Sequence, residues 1–358
     1  MLPISICMIM KNEEKNLRKC LDSVKSLECE LILVDTGSTD STISIAKEYT
    51  DNVYHFDWIR DFAAARNYSL SLASNDWVLI LDCDEYITSV DLDSLTLFMR
   101  KHPDKIGLLS RRNHYEMNQT DSVYTDQVER FFDRRLYHYT GEVHEQVVLK
   151  PSAPTSISRR KAPINLYLEH SGYMGTPEEL YAKSMRNADI LKEMLVKNPN
   201  NPYLYFQLGQ CYNMLHDDEK ALYYYDKGLS FDVDPNAEYV QMMVTGYGHA
   251  LLHLERYEEA LQLQNIYDEF STSADFICLM GLIYLRTGNL LSAMAEFLKA
   301  ISHPVAHVEG SNSFIPYYNM GCINELLGDT KTALTLYKKC GSFPMAVNKI
   351  QELESKIN

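Results

Sequence analysis

Basic charge is in short supply. The chain of 358 residues carries 34 Lys and Arg against 49 Asp and Glu, a formal net charge of −15. That balance argues against a nucleic-acid partner, for which a basic face would be expected. No apolar run reaches membrane-spanning length, which predicts no transmembrane segment. Cysteine is sparse and scattered: Cys7, Cys20, Cys29, Cys83, Cys211, Cys278, Cys322 and Cys340 form no Cys-x-x-Cys and no zinc spacing. Most stand among apolar residues, as reduced core thiols of a cytoplasmic protein do. The chain enters the strand-like run Ile4-Ser5-Ile6-Cys7-Met8-Ile9-Met10 almost at once, without a basic stretch before an apolar one, so no secretory leader is expected. No G-x-G-x-x-G follows that run, which disfavours a dinucleotide fold. No G-x-x-x-x-G-K-[ST] occurs, which excludes a P-loop.

What is present alternates. Residues 3–10 read as a strand, and Asn12 as the N-cap of a helix carrying Leu17, Cys20, Leu21 and Val24. Glu30–Val34 reads as a second strand. Thr39 or Asp40 then caps a helix with Ile43, Ala46 and Tyr49. Asn52–Phe56 is a third strand, Phe62–Ala73 a helix, and Trp77–Leu81 a fourth strand. Near-continuous apolar strands between helices predict an α/β fold, a mostly parallel sheet with helices on both faces. Ligands of such sheets bind beyond the carboxyl ends of the strands. Lys11-Asn12-Glu13, Asp35-Thr36-Gly37-Ser38 and Asp82-Cys83-Asp84 all fall there. Residues 106–170 add the strand-like runs Gly107–Tyr115, Gln127–Phe132, Val143–Leu149 and Ile164–His170, read as an extension that completes a site.

Asp82 and Asp84 are two apart, so on a continuing strand they face the same way. Same-facing acids repel unless a cation lies between them, and oxygen donors of this kind suit Mg²⁺ or Mn²⁺ bridging to phosphate oxygens. The plainer alternative is a pair of solvated acids at a strand end. An Asp-x-Asp phosphatase is disfavoured, because Tyr86 stands where Thr or Val belongs and the motif ends the fourth strand rather than the first.

Beyond residue 176 the pattern is helical. Thr176-Pro177-Glu178-Glu179 reads as a helix start. Gly209, Gly248, Gly281 and Gly321 each stand twelve residues before an Ala (Ala221, Ala260, Ala293, Ala333). Large residues such as Tyr225 and Phe297 follow at helical spacing. This is the tetratricopeptide pattern, in which small residues let paired helices approach. Two domains are expected: 1–175, and an all-α repeat domain over 176–358, with a linker helix at about 176–198 and repeats at about 202–341. Copies two and four are looser at the aromatic positions.

The first half resembles glycosyltransferase family 2 enzymes with a GT-A fold. The resemblance runs through Ile6–Asn16, Leu33–Asp40, Trp58–Asn67 and Trp77–Glu85, with Asp61-Phe62-Ala63-Ala64-Ala65-Arg66-Asn67, Leu81-Asp82-Cys83-Asp84-Glu85, Gly141-Glu142-Val143-His144-Glu145 and Glu169-His170-Ser171-Gly172-Tyr173 as its specific motifs. With trailing repeats, the chain is similar to the sublancin-type (glycocin) branch of bacterial peptide S-glycosyltransferases, which modify cysteines of bacteriocin peptides. That branch also has relatives described as lipopolysaccharide-type sugar transferases. The resemblance implies an inverting hexosyltransferase with a UDP-sugar donor, UDP-glucose or another UDP-hexose, and Mn²⁺ or Mg²⁺. It implies that Asp84 holds the metal, with His170 completing its shell or touching diphosphate. Asp82 would meet the donor sugar or ribose, and Asp35 the uracil, unless Asp35 only caps its own turn. Lys11, Arg66 and Arg130 would serve the nucleotide and its phosphates. The acceptor must lose a proton, and His144 and Glu145 are the candidate bases; the free imidazole pKa suits a thiol acceptor. The repeats would hold a peptide acceptor or build a homodimer. Two other readings stand beside this one: transfer to a lipid-linked or cell-surface saccharide, and a non-catalytic repeat scaffold.

Overall fold

The computed structural model describes residues 2–117, 120–173 and 176–357. The chain divides into two compact units, Met1–Thr176 and Pro177–Asn358.

In the first unit the order is β1 (Ile4–Met10), α1 (Leu17–Val24), β2 (Glu30–Asp35), α2 (Thr42–Lys47), β3 (Val53–His55), α3 (Phe62–Leu72), β4 (Trp77–Ile80), β5 (Glu85–Val90), α4 (Leu92–Lys101), β6 (Lys105–Met117), β7 (Thr120–Asp133), β8 (Tyr137–Thr140), β9 (Gln146–Leu149) and β10 (Arg160–Tyr173). Eight strands form one sheet in the order β3-β2-β1-β4-β7-β6-β10-β5, and β8 pairs with β9 apart from it. The first four strands are parallel. β7 then runs antiparallel to β4 and β6, and β5 antiparallel to β10. The sheet is therefore mixed, and β6, β7 and β10, from residues 106–170, belong to it, while β8 and β9 form a two-stranded sheet in the same unit.

Strand alternation explains the burial. Ile4, Ile6, Met8 and Met10 enter one core with Leu17, Leu21, Leu79 and Phe98. Cys7 enters the opposite core with Ile32, Val34, Val78, Ile80 and Tyr137. A strand buried on both faces must be apolar at nearly every position, which is what β1 and β4 show.

Three local expectations change. Asn12 does not cap α1. It adopts φ 56° and its Oδ1 accepts from Thr39 N at 2.8 Å, tying the β1 loop to the β2 loop. The helix begins at Leu17. Val143 and His144 are not in a strand: β9 starts at Gln146, and the alternation argument for His144 and Glu145 lapses. Likewise β4 ends at Ile80, and Asp82 and Asp84 lie in the turn before β5.

The second unit is helical: α5 (Pro177–Lys197), α6 (Pro202–Met214), α7 (Asp218–Leu229), α8 (Glu238–His253), α9 (Tyr257–Leu261), α10 (Tyr267–Phe270), α11 (Ala274–Arg286), α12 (Leu290–Ser302), α13 (Phe314–Leu326), α14 (Thr330–Lys338) and α15 (Pro344–Ile357). Gly209 faces the Tyr225 ring, Gly281 that of Phe297 and Gly321 that of Tyr337, the same offset each time. The second copy is broken. After α9 a 3₁₀ stretch, Gln262–Ile266, interrupts the helix, and Gly248 packs on Leu263 and Leu279 instead of an aromatic ring. No helix among the described residues is long and apolar enough to cross a membrane.

Candidate active site

The site grows from the carboxyl end of the parallel strands. Asp61 caps α3, accepting from Ala64 N at 2.8 Å. Phe62 N donates to Glu142 O at 2.8 Å, and Asn67 clamps β8 by two hydrogen bonds to the Tyr139 backbone. These contacts seat the 141–145 turn against α3. As a result Arg66, buried on α3, donates to the Glu145 carboxylate through Nε and to Asp82 Oδ1 through Nη2 at 2.8 Å. Arg130, from β7, donates to Asp82 Oδ2 at 2.5 Å and lies 3.7 Å from Glu85. Burial alone would raise the Asp82 carboxyl, but Arg130 and Arg66 overcome it and hold it well below the usual carboxylate range.

Asp84 has a different neighbour. Its Oδ2 lies 3.4 Å from His170 Nε2, and its backbone carbonyl accepts from Ser171 N and Oγ. The two acids of the motif are therefore not a matched pair: Asp82 is clamped between guanidiniums, and Asp84 faces an imidazole. Two neighbouring ligands on a Mg²⁺-like ion at about 2.1 Å each stand about 3 Å apart, so the Asp84–His170 spacing fits such an ion. No group of three or more His, Cys, Asp or Glu suited to a metal occurs among the described residues. Any ion here would take its other ligands from water and phosphate oxygens, as Mg²⁺ commonly does.

His144 and Glu145 sit beside a cavity of about 470 Å³, lined also by Arg130, Tyr139, Arg159 and Lys161. His144 adopts φ 52°, a left-handed geometry that turns the chain sharply before Glu145. The imidazole is pushed below its ordinary pKa by desolvation, which the Glu145 carboxylate only partly offsets. His144 is nonetheless exposed at its surface, which keeps that downward shift small. Glu145 is committed to Arg66.

Asp35 is 2% exposed. It accepts from Gly37 N at 2.9 Å and Ser38 N at 3.2 Å, the turn-capping geometry that was the alternative to base binding. His55 Nδ1 stands 3.7 Å away. Lys11 is exposed where β1 ends.

Residues 5–163 match the family described as glycosyl transferase family 2. This unit is a family 2 glycosyl transferase domain. Residues 190–223, 274–302 and 316–340 match tetratricopeptide repeats, and the broken second copy falls between these matches. The chain is 29% identical over 237 residues to the SPbeta prophage-derived glycosyltransferase SunS of Bacillus subtilis, covering 63% of this chain and 53% of SunS. It is 30% identical over 275 residues to a TPR repeat-containing protein of Synechococcus elongatus, covering 73% and 66% respectively. An uncharacterized glycosyltransferase of Rickettsia typhi is 34% identical over 102 residues, 28% of this chain and 35% of that one. The chain thus spans about half the length of SunS.

The transferase domain also holds polar residues that sequence reading passed over. Glu85 is fully buried and accepts from Asp82 N at 3.0 Å and Arg111 at 3.1 Å. Arg111 forks onto Asp126 at 3.1 and 2.7 Å. Asn113 Nδ2 donates to Asp126 Oδ1 at 3.0 Å, and its Oδ1 meets His170 Nδ1 at 2.7 Å. A sequence signal existed: Arg111 and Asn113 are two apart and share a strand face. Their partner Asp126 emerges only once β6 and β7 are placed in register.

Proposed function

We propose that this chain is an inverting glycosyltransferase. It moves a hexose from a UDP-sugar, with UDP-glucose the first donor to try, to a polypeptide side chain, the acceptor being a Cys of a small ribosomally made bacteriocin peptide. The observation that carries the reading is the split environment of the Asp-x-Asp turn. Asp84, with His170, is the pair suited to Mn²⁺ or Mg²⁺. Bound there, the ion would neutralise charge developing on the departing diphosphate. Asp82 cannot easily turn to a metal while two arginines hold both its oxygens. Its place is to orient Arg66 and Arg130 toward the donor and to meet the sugar or ribose. Asp35 keeps lone pairs beyond those its turn consumes and can accept from the uracil imide. Lys11 stands where the nucleotide phosphates enter.

His144 is the base in this reading. Its neutral imidazole lines the cavity, whereas Glu145 is bound to Arg66 and acts by holding that arginine. The cavity volume lies within the range of small-ligand sites and accepts a side chain or two. The repeat unit supplies a surface for the peptide or for a second copy of the chain, as helical repeats do. A cytoplasmic site of action accords with the free thiols, most of them buried. The similarity to SunS, a glycosyltransferase, supports the reaction class.

The test incubates the protein with Mn²⁺ or Mg²⁺ and a panel of nucleotide sugars, and follows nucleotide release with and without a Cys-containing peptide. Release that is stimulated by peptide and lost in Asp84→Ala supports the reading. A peptide mass gain of one hexose that survives mild base supports S-linkage. No release with any donor would sink it.

A further inference from the structure

We infer that Asn113 is a positioning residue: it fixes the tautomer of His170 so that Nε2 presents a lone pair toward Asp84. The inference rests on the reading of Asp84 and His170 as the cation pair and names what prepares that pair. Its logic is one of forced polarity. A guanidinium only donates, so Arg111 requires Asp126 to accept. An ionised carboxylate only accepts, so the group of Asn113 that faces Asp126 at 3.0 Å is the NH₂. The other end of that amide, its carbonyl oxygen, then faces His170 Nδ1 at 2.7 Å. An amide oxygen cannot donate, so Nδ1 carries the proton. In the neutral ring Nε2 is left as the acceptor.

That acceptor lies 3.4 Å from Asp84 Oδ2, itself an acceptor. Two lone pairs aimed at each other across this gap are unfavourable in isolation and favourable once a cation lies between them. Asn113 is fully buried, and Arg111 is held from behind by Glu85 as well. The relay cannot reverse its direction without setting the amide oxygen of Asn113 against the Asp126 carboxylate, two acceptors with no proton between them. An outer partner that sets ring orientation and tautomer is the usual companion of a metal-ligating histidine. Here it is reached through three strands, β7, β6 and β10.

The experiment uses the full chain and two readouts that do not require turnover. The first is the ¹⁵N resonances of His170 in histidine-labelled protein, assigned with His170→Gln. The expected pattern is protonated Nδ1 and unprotonated Nε2 before metal is added. A ring protonated at Nε2 overturns the inference, and this measurement on the unaltered protein does not depend on any Asn113 variant folding. The second is Mn²⁺ affinity in the presence of UDP, read from the EPR signal of free Mn²⁺. Asn113→Ala is expected to weaken Mn²⁺ roughly 10- to 100-fold with its thermal midpoint above the assay temperature. Asp126→Asn, which releases the amide without touching His170, is expected to weaken it in the same direction. Unchanged Mn²⁺ affinity in folded Asn113→Ala overturns the inference and leaves the cation reading standing. Failure of the unaltered protein to bind Mn²⁺ with UDP overturns the cation reading itself.

Discussion

Asp82 and Asp84 differ by partner, and the difference predicts two phenotypes. Asp84→Asn removes the carboxylate that faces His170 at 3.4 Å, so activity should fall about 100-fold or more, with a smaller loss of thermal midpoint than in Asp82→Asn. Asp82→Asn removes the carboxylate shared by Arg66 and Arg130 and leaves them Glu145 and Glu85 respectively. With 28% of the Asp82 side chain still open to water, the stability loss should be on the order of 1–3 kcal/mol, together with lost activity. Thermal melts beside nucleotide-release assays separate the two. His144 supplies a third expectation. Its active form is the neutral ring, and desolvation lowers its pKa in the folded protein. The rate should therefore be flat at neutral pH and fall only below the ordinary histidine value of about 6.5. A pH–rate profile whose acid limb sits at or above that value would rule His144 out as the base.

At the level of elements, periodicity was readable where burial is simple and failed where polar contacts override it. β1, β2 and β4 are buried on both faces, so their apolar runs mark them almost to the residue. The Gly–Ala spacing of the repeats was equally plain, because helices that touch must be small at the contact. The turn at 141–145 was not legible. Val143 and His144 look like strand residues, but Gly141 at φ 99° and the Phe62-to-Glu142 hydrogen bond fold them back onto α3. The Arg111–Asp126–Asn113 relay was hidden for another reason: its members meet only through the pairing of β6 with β7, a long-range register that no local pattern announces. The repeat contacts also yield a prediction. A Cβ on Gly209 would stand 2.3 Å from Cε1 of Tyr225, a ring with no exposed surface and no room to retreat. Gly209→Ala should therefore destabilise the helical unit by about 1–3 kcal/mol, despite the roughly 1 kcal/mol that alanine gains in helix propensity. A lower midpoint of the helical transition in calorimetry is the expected result; a rise would show that the α6–α7 contact can open.

Across the molecule, an acidic chain gathers two buried arginines around one carboxylate of the Asp-x-Asp turn. Arg66 and Arg130 converge on the carboxyl end of the sheet, each held by acids that keep it in place. Within the sheet unit, β1, β4 and their helices pack around Leu79 and Val78; within the helical unit, α8 with α11, and α11 with α12, pack around Leu279 and Phe297. Every residue assigned to the donor and the ion lies before Pro177, so UDP with Mn²⁺ should stabilise the sheet unit and leave the helical one alone. At a hundred times the dissociation constant the gain is about 2.7 kcal/mol, which for a unit of this size moves its midpoint by roughly 5–10 °C. Differential scanning calorimetry of the full chain should show two transitions, one of which climbs with UDP and Mn²⁺. The shift should vanish in Asp84→Asn. If both transitions climb together, the helical unit shares the donor site, and the assignment of that site to the sheet unit alone is wrong.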